Sequence, residues 1–332
     1  MSDENPMRRA IELAASARLV TSPNPWVGCV IVAADGRVFE GATEAPGQRH
    51  AEIVALDAAR AASADLTGAT VFTTLEPCSH HGRTPPCTDA LAAAGVARVV
   101  SAIEDPDPQV AGRGFAQLRA AGIDVTSGVL ADVVREQLRP YVHHRLTGRP
   151  FVVLKLASTL DGRTAAADGS SQWITGEAAR TAAHQLRAES DAIVVGAGTV
   201  RADDPSLTTR MVAGPSPRRI VLGQAPKGAK VHPCTEWSDP IKELLTQLGD
   251  DGVLQVLVEG GATVAADFHQ QGLVDRYVIY MAAAFLGTRA QPLLATDRGA
   301  TMADIWRGRL VSVRPLGDDF EVILDPQQEN PS

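Results

Sequence analysis

The sequence predicts two α/β domains in tandem. Three observations carry that reading: a length of 332 residues, strand-like runs alternating with helical stretches, and a break at Thr147-Gly148-Arg149-Pro150 after which the alternation restarts. Two domains of ordinary size suit that length better than one. Strand and helix in alternation are the pattern of layered α/β folds. The expected boundaries are residues 1–147 and 150–332.

The N-terminal stretch MSDENPMRRAIELAASARLV has no long apolar core and is expected to form an amphipathic helix rather than a signal peptide. Val27–Ala33 and Val38–Gly41 flank Ala34-Asp35-Gly36 and predict a hairpin. His50–Ala62 has helical spacing and many alanines. Ala69–Leu75 predicts a strand, Thr88–Ala94 a helix stopped by Gly95, and Val96–Ala102 another strand. Phe115–Ala121 is expected to be a helix ended by Gly122, followed by strand Ile123–Thr126. Helix Asp132–Leu146 ends at Gly148 and Pro150, which prevent its continuation.

The second half begins with strand Phe151–Ala157, helix Glu177–Ala188 and strand Ala192–Val195. Strands follow at Arg219–Leu222, Leu254–Val258, Arg276–Tyr280 and Glu321–Leu324. Helices are expected at Pro240–Leu248 and Ala262–Gln270. No internal repeat is evident.

A hydrophobic fraction of 45% is ample for two cores, and the net charge of -8 comes from acids and bases that are scattered rather than blocked. Without a basic patch the chain is not expected to grip nucleic acid, although a small phosphorylated substrate remains compatible. No apolar run approaches membrane-spanning length, so no membrane association is expected. Four cysteines, Cys29, Cys78, Cys87 and Cys234, are too scattered for a disulfide scaffold. A reducing, cytoplasmic setting is expected, with thiols serving metal binding or catalysis.

Three elements point to a metal site: His50-Ala51-Glu52 opening a helix, Glu76-Pro77-Cys78, and Cys87 after Thr84-Pro85-Pro86. Zinc favours imidazole and thiolate, and a catalytic zinc takes three protein ligands and keeps a fourth position for water. His50, Cys78 and Cys87 meet that count. The metal lowers the pKa of its water toward neutrality, and a nearby carboxylate can carry the released proton. Glu52, two residues from the ligand, suits that role. His-x-Glu followed by Pro-Cys matches the pattern of zinc deaminases of nucleobase-like rings. A closed structural zinc, with His80 or His81 as fourth ligand, is the alternative.

The usual Pro-Cys-x-x-Cys is stretched here to Cys78-Ser-His-His-Gly-Arg-Thr-Pro-Pro-Cys87. With Asn24-Pro25-Trp26-Val27-Gly28 upstream and Asp105-Pro106 downstream, it closely resembles the bifunctional riboflavin-biosynthesis deaminase–reductase family. The resemblance implies a cytidine-deaminase-like, three-layer first domain that deaminates a diamino-hydroxy-pyrimidine carrying a phosphoribosylamino group. It places the ring and phosphate contacts on Asn24, His80, Arg83 and Asp105. The donor fork of Arg83 is apt for phosphate. Two positions depart from the family: Thr43 replaces a His, and Asp107 replaces the Asn of Asp-Pro-Asn-Pro.

The second domain lacks a Gly-x-Gly-x-x-Gly loop after a strand, so a Rossmann cofactor site is not expected. Leu257-Val258-Glu259-Gly260-Gly261-Ala262-Thr263 instead sets two glycines between strand and helix, either a tight turn or a helix N-terminus offered to phosphate. Lys155-Leu156-Ala157-Ser158-Thr159-Leu160-Asp161-Gly162-Arg163, Ser171-Gln172-Trp173-Ile174-Thr175, and Gly198-Thr199-Val200-Arg201-Ala202-Asp203-Asp204-Pro205 are similar to the reductase half of the same family. This implies a dihydrofolate-reductase-like fold that uses NADPH to reduce the ribosyl group to ribityl.

By the same resemblance, NADPH contacts fall on Ala157, Trp173, Thr199, Asp203, Gly261, Ala262, Thr263, Val264, Ala265, Ala266 and Asp267. Substrate contacts fall on Ser171, Arg187, Leu207, Arg210 and Glu259. Lys155 is a further candidate polar group, as a cation for phosphate or the sugar oxygen, with an edge-strand lysine as its alternative. Between Arg210 and Glu259 the chain is shorter than the family usually is, by a strand and a helix that include a cofactor contact. A homo-oligomer, dimer or higher, is expected by analogy.

Overall fold

The computed structural model describes residues 2–79, 86–108, 110–296 and 301–327. The chain divides into two compact units, Met1–Gly148 and Arg149–Ser332.

In the first unit, helix α1 (Glu4–Ala17) is followed by strands β1 (Gly28–Val32) and β2 (Val38–Ala42), then α2 (Ala51–Ala61) and β3 (Thr70–Leu75). Next come α3 (Cys87–Ala93), β4 (Arg98–Ile103), α4 (Arg113–Ala120), β5 (Asp124–Ser127), α5 (Ala131–Gln137) and α6 (Arg139–Thr147). The sheet order is β2-β1-β3-β4-β5. β1 runs antiparallel to both β2 and β3, whereas β3, β4 and β5 are parallel. Met7, Ala10, Ala14 and Ala17 recur at helical spacing and give α1 its buried face. Gly41 lets α2 press onto β2, because a Cβ there would sit 2.1 Å from the Ala51 carbonyl oxygen. The stretch expected as one helix over 132–146 is instead two. Pro140 has no N–H for an i→i−4 bond and occupies the first turn of α6, so the ladder restarts at Leu138.

The second unit contains β6 (Phe151–Thr159), β7 (Arg163–Ala165), α7 (Glu177–Ala188), β8 (Ala192–Gly196), α8 (Ala197–Asp203), β9 (Arg218–Leu222) and β10 (Thr235–Trp237). It continues with α9 (Ile241–Asp250), β11 (Gln255–Val258), α10 (Ala262–Gln270), β12 (Arg276–Ala282), β13 (Gln291–Pro292), β14 (Gly308–Leu316) and β15 (Asp319–Pro326). Eight strands form one sheet in the order β10-β9-β8-β11-β6-β12-β15-β14, and β7 pairs with β13 separately. The strands from β10 to β12 are parallel. The β14–β15 hairpin closes the far edge antiparallel. Alternate β6 residues feed two cores. Val152, Leu154 and Leu156 pack with Leu244, Leu248 and Phe268 of α9 and α10, while Phe151 and Val153 pack with Ala179 and Ala183 of α7. Lys155 follows on the α7 face, in step with Phe151 and Val153.

Helix α8 and strand β14 were not expected from the sequence. β14 is an edge strand with Leu310, Val311 and Val313 exposed and a Pro near its end, features that hide a strand from pattern reading. Between Arg210 and Glu259 the structure places β9, β10, α9 and β11. No helix among the described residues is long and apolar enough to cross a membrane.

Candidate active sites

In the first unit, His50 is the N-cap of α2, Cys78 lies just after β3, and Cys87 is the first residue of α3. His50 Nδ1 stands 3.5 Å from Cys78 Sγ and 3.4 Å from Cys87 Sγ. Zinc bonded at about 2.0 Å to nitrogen and about 2.3 Å to sulfur, with tetrahedral angles, sets N and S about 3.5 Å apart. The three donors therefore fit a tetrahedral zinc with one position left. The Cys87 amide, freed from intrahelical bonding at the start of α3, donates to Cys78 Sγ at 3.3 Å. The Cys78 thiol is pushed well below its ordinary range, chiefly by the Cys87 side chain, with His50 and the Cys87 amide also favouring the thiolate.

Glu52, in the first turn of α2, is 4% exposed. Burial raises its carboxyl to about 7, with the neighbouring Cys78 sulfur adding to the effect. A carboxyl that exchanges its proton near neutrality is suited to both accept and return one.

Glu76, which sequence reading passed over except as part of Glu-Pro-Cys, anchors the site. Its buried carboxylate accepts the amides of Gly114 at 2.7 Å, Phe115 at 3.2 Å, Gly112 at 3.0 Å and Asp105 at 3.1 Å. α4 packs so closely that a Cβ on Gly114 would lie 2.1 Å from the Pro77 carbonyl oxygen. A Glu at a strand end directly before Pro-Cys was the available signal.

Asp105 is buried beside this anchor and is raised to about 6 by burial. The Tyr141 hydroxyl donates to it at 3.1 Å. Asn24 is half-buried, its amide donating to the Thr21 carbonyl at 2.8 Å. His80, His81 and Arg83 lie outside the described residues. The two departures from the family pattern have local partners. Thr43 Oγ1 accepts the Val27 amide at 3.2 Å, tying the hairpin end to the Asn24 loop. Asp107 has Arg145 Nε at 3.8 Å.

In the second unit, the buried carboxylate of Glu259, just past the end of β11, meets two cations. Arg187 of α7 grips it with Nε at 2.7 Å and Nη2 at 2.9 Å, and Lys155 Nζ of β6 stands at 3.5 Å. Burial disfavours the charge, yet Lys155 and Arg187 outweigh it and hold the carboxyl at about 2. Lys155 is thus not on a sheet edge, because β6 lies between β11 and β12.

The carboxyl ends of β8 and β11 lie side by side, where open α/β sheets bind ligands. Thr199 near the start of α8 accepts the Gly261 amide at 3.2 Å, joining the two turns. A Cβ on Gly260 would lie 2.5 Å from Val264 Cβ, so only glycine permits this entry into α10. The first amides of α10 have no intrahelical acceptor and suit a phosphate. Within 261–267, Gly261, Thr263 and Asp267 are exposed, Ala262 and Val264 are partly so, and Ala265 and Ala266 face the core. Ser171 Oγ donates to Asp203 at 3.3 Å. Trp173 is exposed with the Arg180 guanidinium 4.8 Å from its ring centroid. Ala157 is half-buried opposite Tyr280, and Leu207 is buried with a φ of +52°.

Residues 1–103 match the family model of the cytidine and deoxycytidylate deaminase zinc-binding region, and residues 150–322 that of the RibD C-terminal domain. The chain is 40% identical to the riboflavin biosynthesis protein RibD of Escherichia coli, over 96% of this chain and 98% of that protein. It is 43% identical to RibD of Mycobacterium tuberculosis, over 97% of both. A solved structure of Acinetobacter baumannii RibD matches with a TM-score of 0.91 at 40% identity, over 98% of this chain and 99% of that one. A diaminohydroxyphosphoribosylaminopyrimidine deaminase/5-amino-6-(5-phosphoribosylamino)uracil reductase from Thermotoga maritima matches with a TM-score of 0.87 at 33% identity, over 98% of both. Two family models in tandem and end-to-end relatives give one conclusion: the chain belongs to the RibD family of riboflavin biosynthesis proteins, with a cytidine-deaminase-like first domain and a RibD reductase second domain.

Proposed function

We propose that the chain catalyses two consecutive steps. Residues 1–147 hydrolyse the exocyclic amine of 2,5-diamino-6-(5-phosphoribosylamino)pyrimidin-4(3H)-one, and residues 150–332 reduce the ribosyl group of the product to ribityl with NADPH. The observation that carries the reading is the convergence of His50, Cys78 and Cys87 beside the buried Glu52.

Zinc held by His50, Cys78 and Cys87 would supply a water of lowered pKa as nucleophile. Glu52 accepts one proton of that water as the C–O bond forms at the ring carbon and then delivers it to the exocyclic amine, so the C–N bond breaks, ammonia leaves, and the water's other hydrogen stays on the ring as the lactam N–H. Asp105 and Asn24 orient the ring, and His80 and Arg83 complete the substrate set, Arg83 toward the phosphate. Tyr141 holds the Asp105 carboxylate, and Glu76 holds its main chain.

In the second domain, NADPH held at Ala157, Trp173, Thr199, Asp203 and the accessible residues Gly261, Ala262, Thr263, Val264 and Asp267 would supply hydride to the opened ribosyl group, while the core-facing Ala265 and Ala266 drop out of the expected contact set. Glu259 fixes Arg187 and Lys155, and these cations with Ser171, Leu207 and Arg210 hold the phosphorylated substrate. Asp203 is oriented by Ser171. The exposed apolar edge of β14 supports association of copies through this domain. The acidic charge supports a small substrate rather than a nucleic acid.

The test is a metal analysis joined to a two-step assay on one sample. Zinc at one per chain, ammonia release, and NADPH consumption that depends on the deaminated product are expected. Ammonia release without NADPH oxidation at any enzyme concentration would leave a deaminase with a non-reducing second domain.

A further inference from the structure

His184 has no part in the substrate and cofactor sets above, yet it is 4% exposed and lies one turn before Arg187 on α7. Spacing of three residues puts both side chains on one helix face. Both reach the main chain of the 206–210 segment. Arg187 Nη1 donates to the Thr208 carbonyl at 3.3 Å, and the Arg210 amide donates to His184 Nδ1 at 3.2 Å. Between them the helix offers one donor and one acceptor, much as a neighbouring strand would. The segment needs such support, since Leu207 takes a φ of +52°, a region that a branched residue enters only when its surroundings hold it. The Arg210 guanidinium remains exposed, with Nη1 donating to Ser206 Oγ at 2.9 Å.

We infer that His184 is a positioning residue of the reductase site: its Nδ1 fixes the main chain of Arg210 so that the guanidinium is presented to the substrate phosphate. The inference rests on the reading of Arg210 as a substrate contact. The acceptor role requires a neutral ring with its proton on Nε2. Burial, then Arg187 and Arg210, depress the ring to about 4, which keeps it neutral at working pH. Glu259 opposes that depression and Lys155 adds to it. A guanidinium matches phosphate oxygens with two parallel donors, so its aim matters more than its charge alone.

The experiment compares reductase kinetics on 5-amino-6-(5-phosphoribosylamino)uracil and on its phosphate-free ribosyl counterpart, for wild type, His184→Leu, His184→Asn and Arg210→Ala. His184→Leu removes the acceptor from a buried site, whereas Asn places an amide oxygen near the Nδ1 position. The expected result for His184→Leu is a KM about fivefold higher for the phosphorylated substrate, the loss of one hydrogen bond. Its kcat stays near wild type, and its KM for the phosphate-free substrate does not change. His184→Asn is expected to restore most of the difference. Equal losses on both substrates, or an Asn variant as impaired as Leu, overturn the inference, the second even if Leu folds poorly. If Arg210→Ala leaves the KM for the phosphorylated substrate unchanged, the substrate reading of Arg210 fails and the inference with it. If Arg210→Ala raises that KM and His184→Leu does not, only the positioning role falls.

Discussion

The Asp105 amide donates to the Glu76 carboxylate at 3.1 Å, which ties the loop after β4 to the residue two before Cys78. One buried side chain thereby ties the strand end that leads to Cys78 to the loop of Asp105, the proposed ring contact. Its other bonds, to Gly112, Gly114 and Phe115, add the start of α4 to the same anchor. Glu76→Ala strips the acceptor from four amides, and the expected cost is about 3 kcal/mol or more of stability. Zinc content and deaminase activity fall with it, while reductase activity is kept. Denaturant unfolding, metal analysis and both assays on one preparation check this.

The Glu259 ion pairs predict a second outcome. A carboxyl held at about 2 instead of its ordinary 4.5 contributes stability that is complete above pH 4.5 and is lost as pH falls toward 2. Glu259→Gln leaves Arg187 and Lys155 without their partner, at an expected cost of about 3 kcal/mol near neutrality. The gap between wild type and variant is expected to hold at neutral pH and to narrow as pH drops below 4.5. Unfolding midpoints across that range measure it. Reductase activity is expected to be lost in the variant, with deamination intact.

Gly260→Ala forces a Cβ to within 2.5 Å of Val264 Cβ and pushes the first turn of α10 away from β11. Overpacking of this kind costs about 1–3 kcal/mol. NADPH affinity is expected to weaken at least tenfold, roughly 1.4 kcal/mol, with ammonia release unchanged. Titration of NADPH against the full chain reads the first effect and the deaminase assay the second.

The His50, Cys78 and Cys87 cluster was legible in the sequence because its chemistry is tied to residue type, whereas the contacts of the second domain were expected only from the family resemblance. Only His and Cys offer zinc such donors, and Glu52 follows its ligand by two positions on one helix. The Gly260-Gly261 pair was visible only as a weak signal, since two glycines between strand and helix more often mark a plain tight turn. Glu76 and His184 were not legible, because each acts on main-chain amides that are remote in sequence. Asp105 lies 29 residues from Glu76 and Arg210 lies 26 from His184, so only the fold brings them together. β14 escaped because its exposed Leu310 and Val313 give no burial alternation, and α8 because it starts directly on Gly196 without a separating loop. Pro140 was visible, but its break of the 132–146 helix was masked by continuous helical spacing on either side.

The most direct measurement concerns Glu52, which lies beside the ligands without being one. Glu52→Gln keeps the size and the burial of the side chain and removes its capacity to carry a proton. Ammonia release is expected to fall by about a hundredfold to ten-thousandfold. In the same sample, zinc stays at one per chain and NADPH oxidation with supplied deaminated substrate stays at the wild-type rate. Undiminished ammonia release with zinc retained would contradict the assignment of Glu52 as the proton carrier and of His50, Cys78 and Cys87 as a catalytic centre.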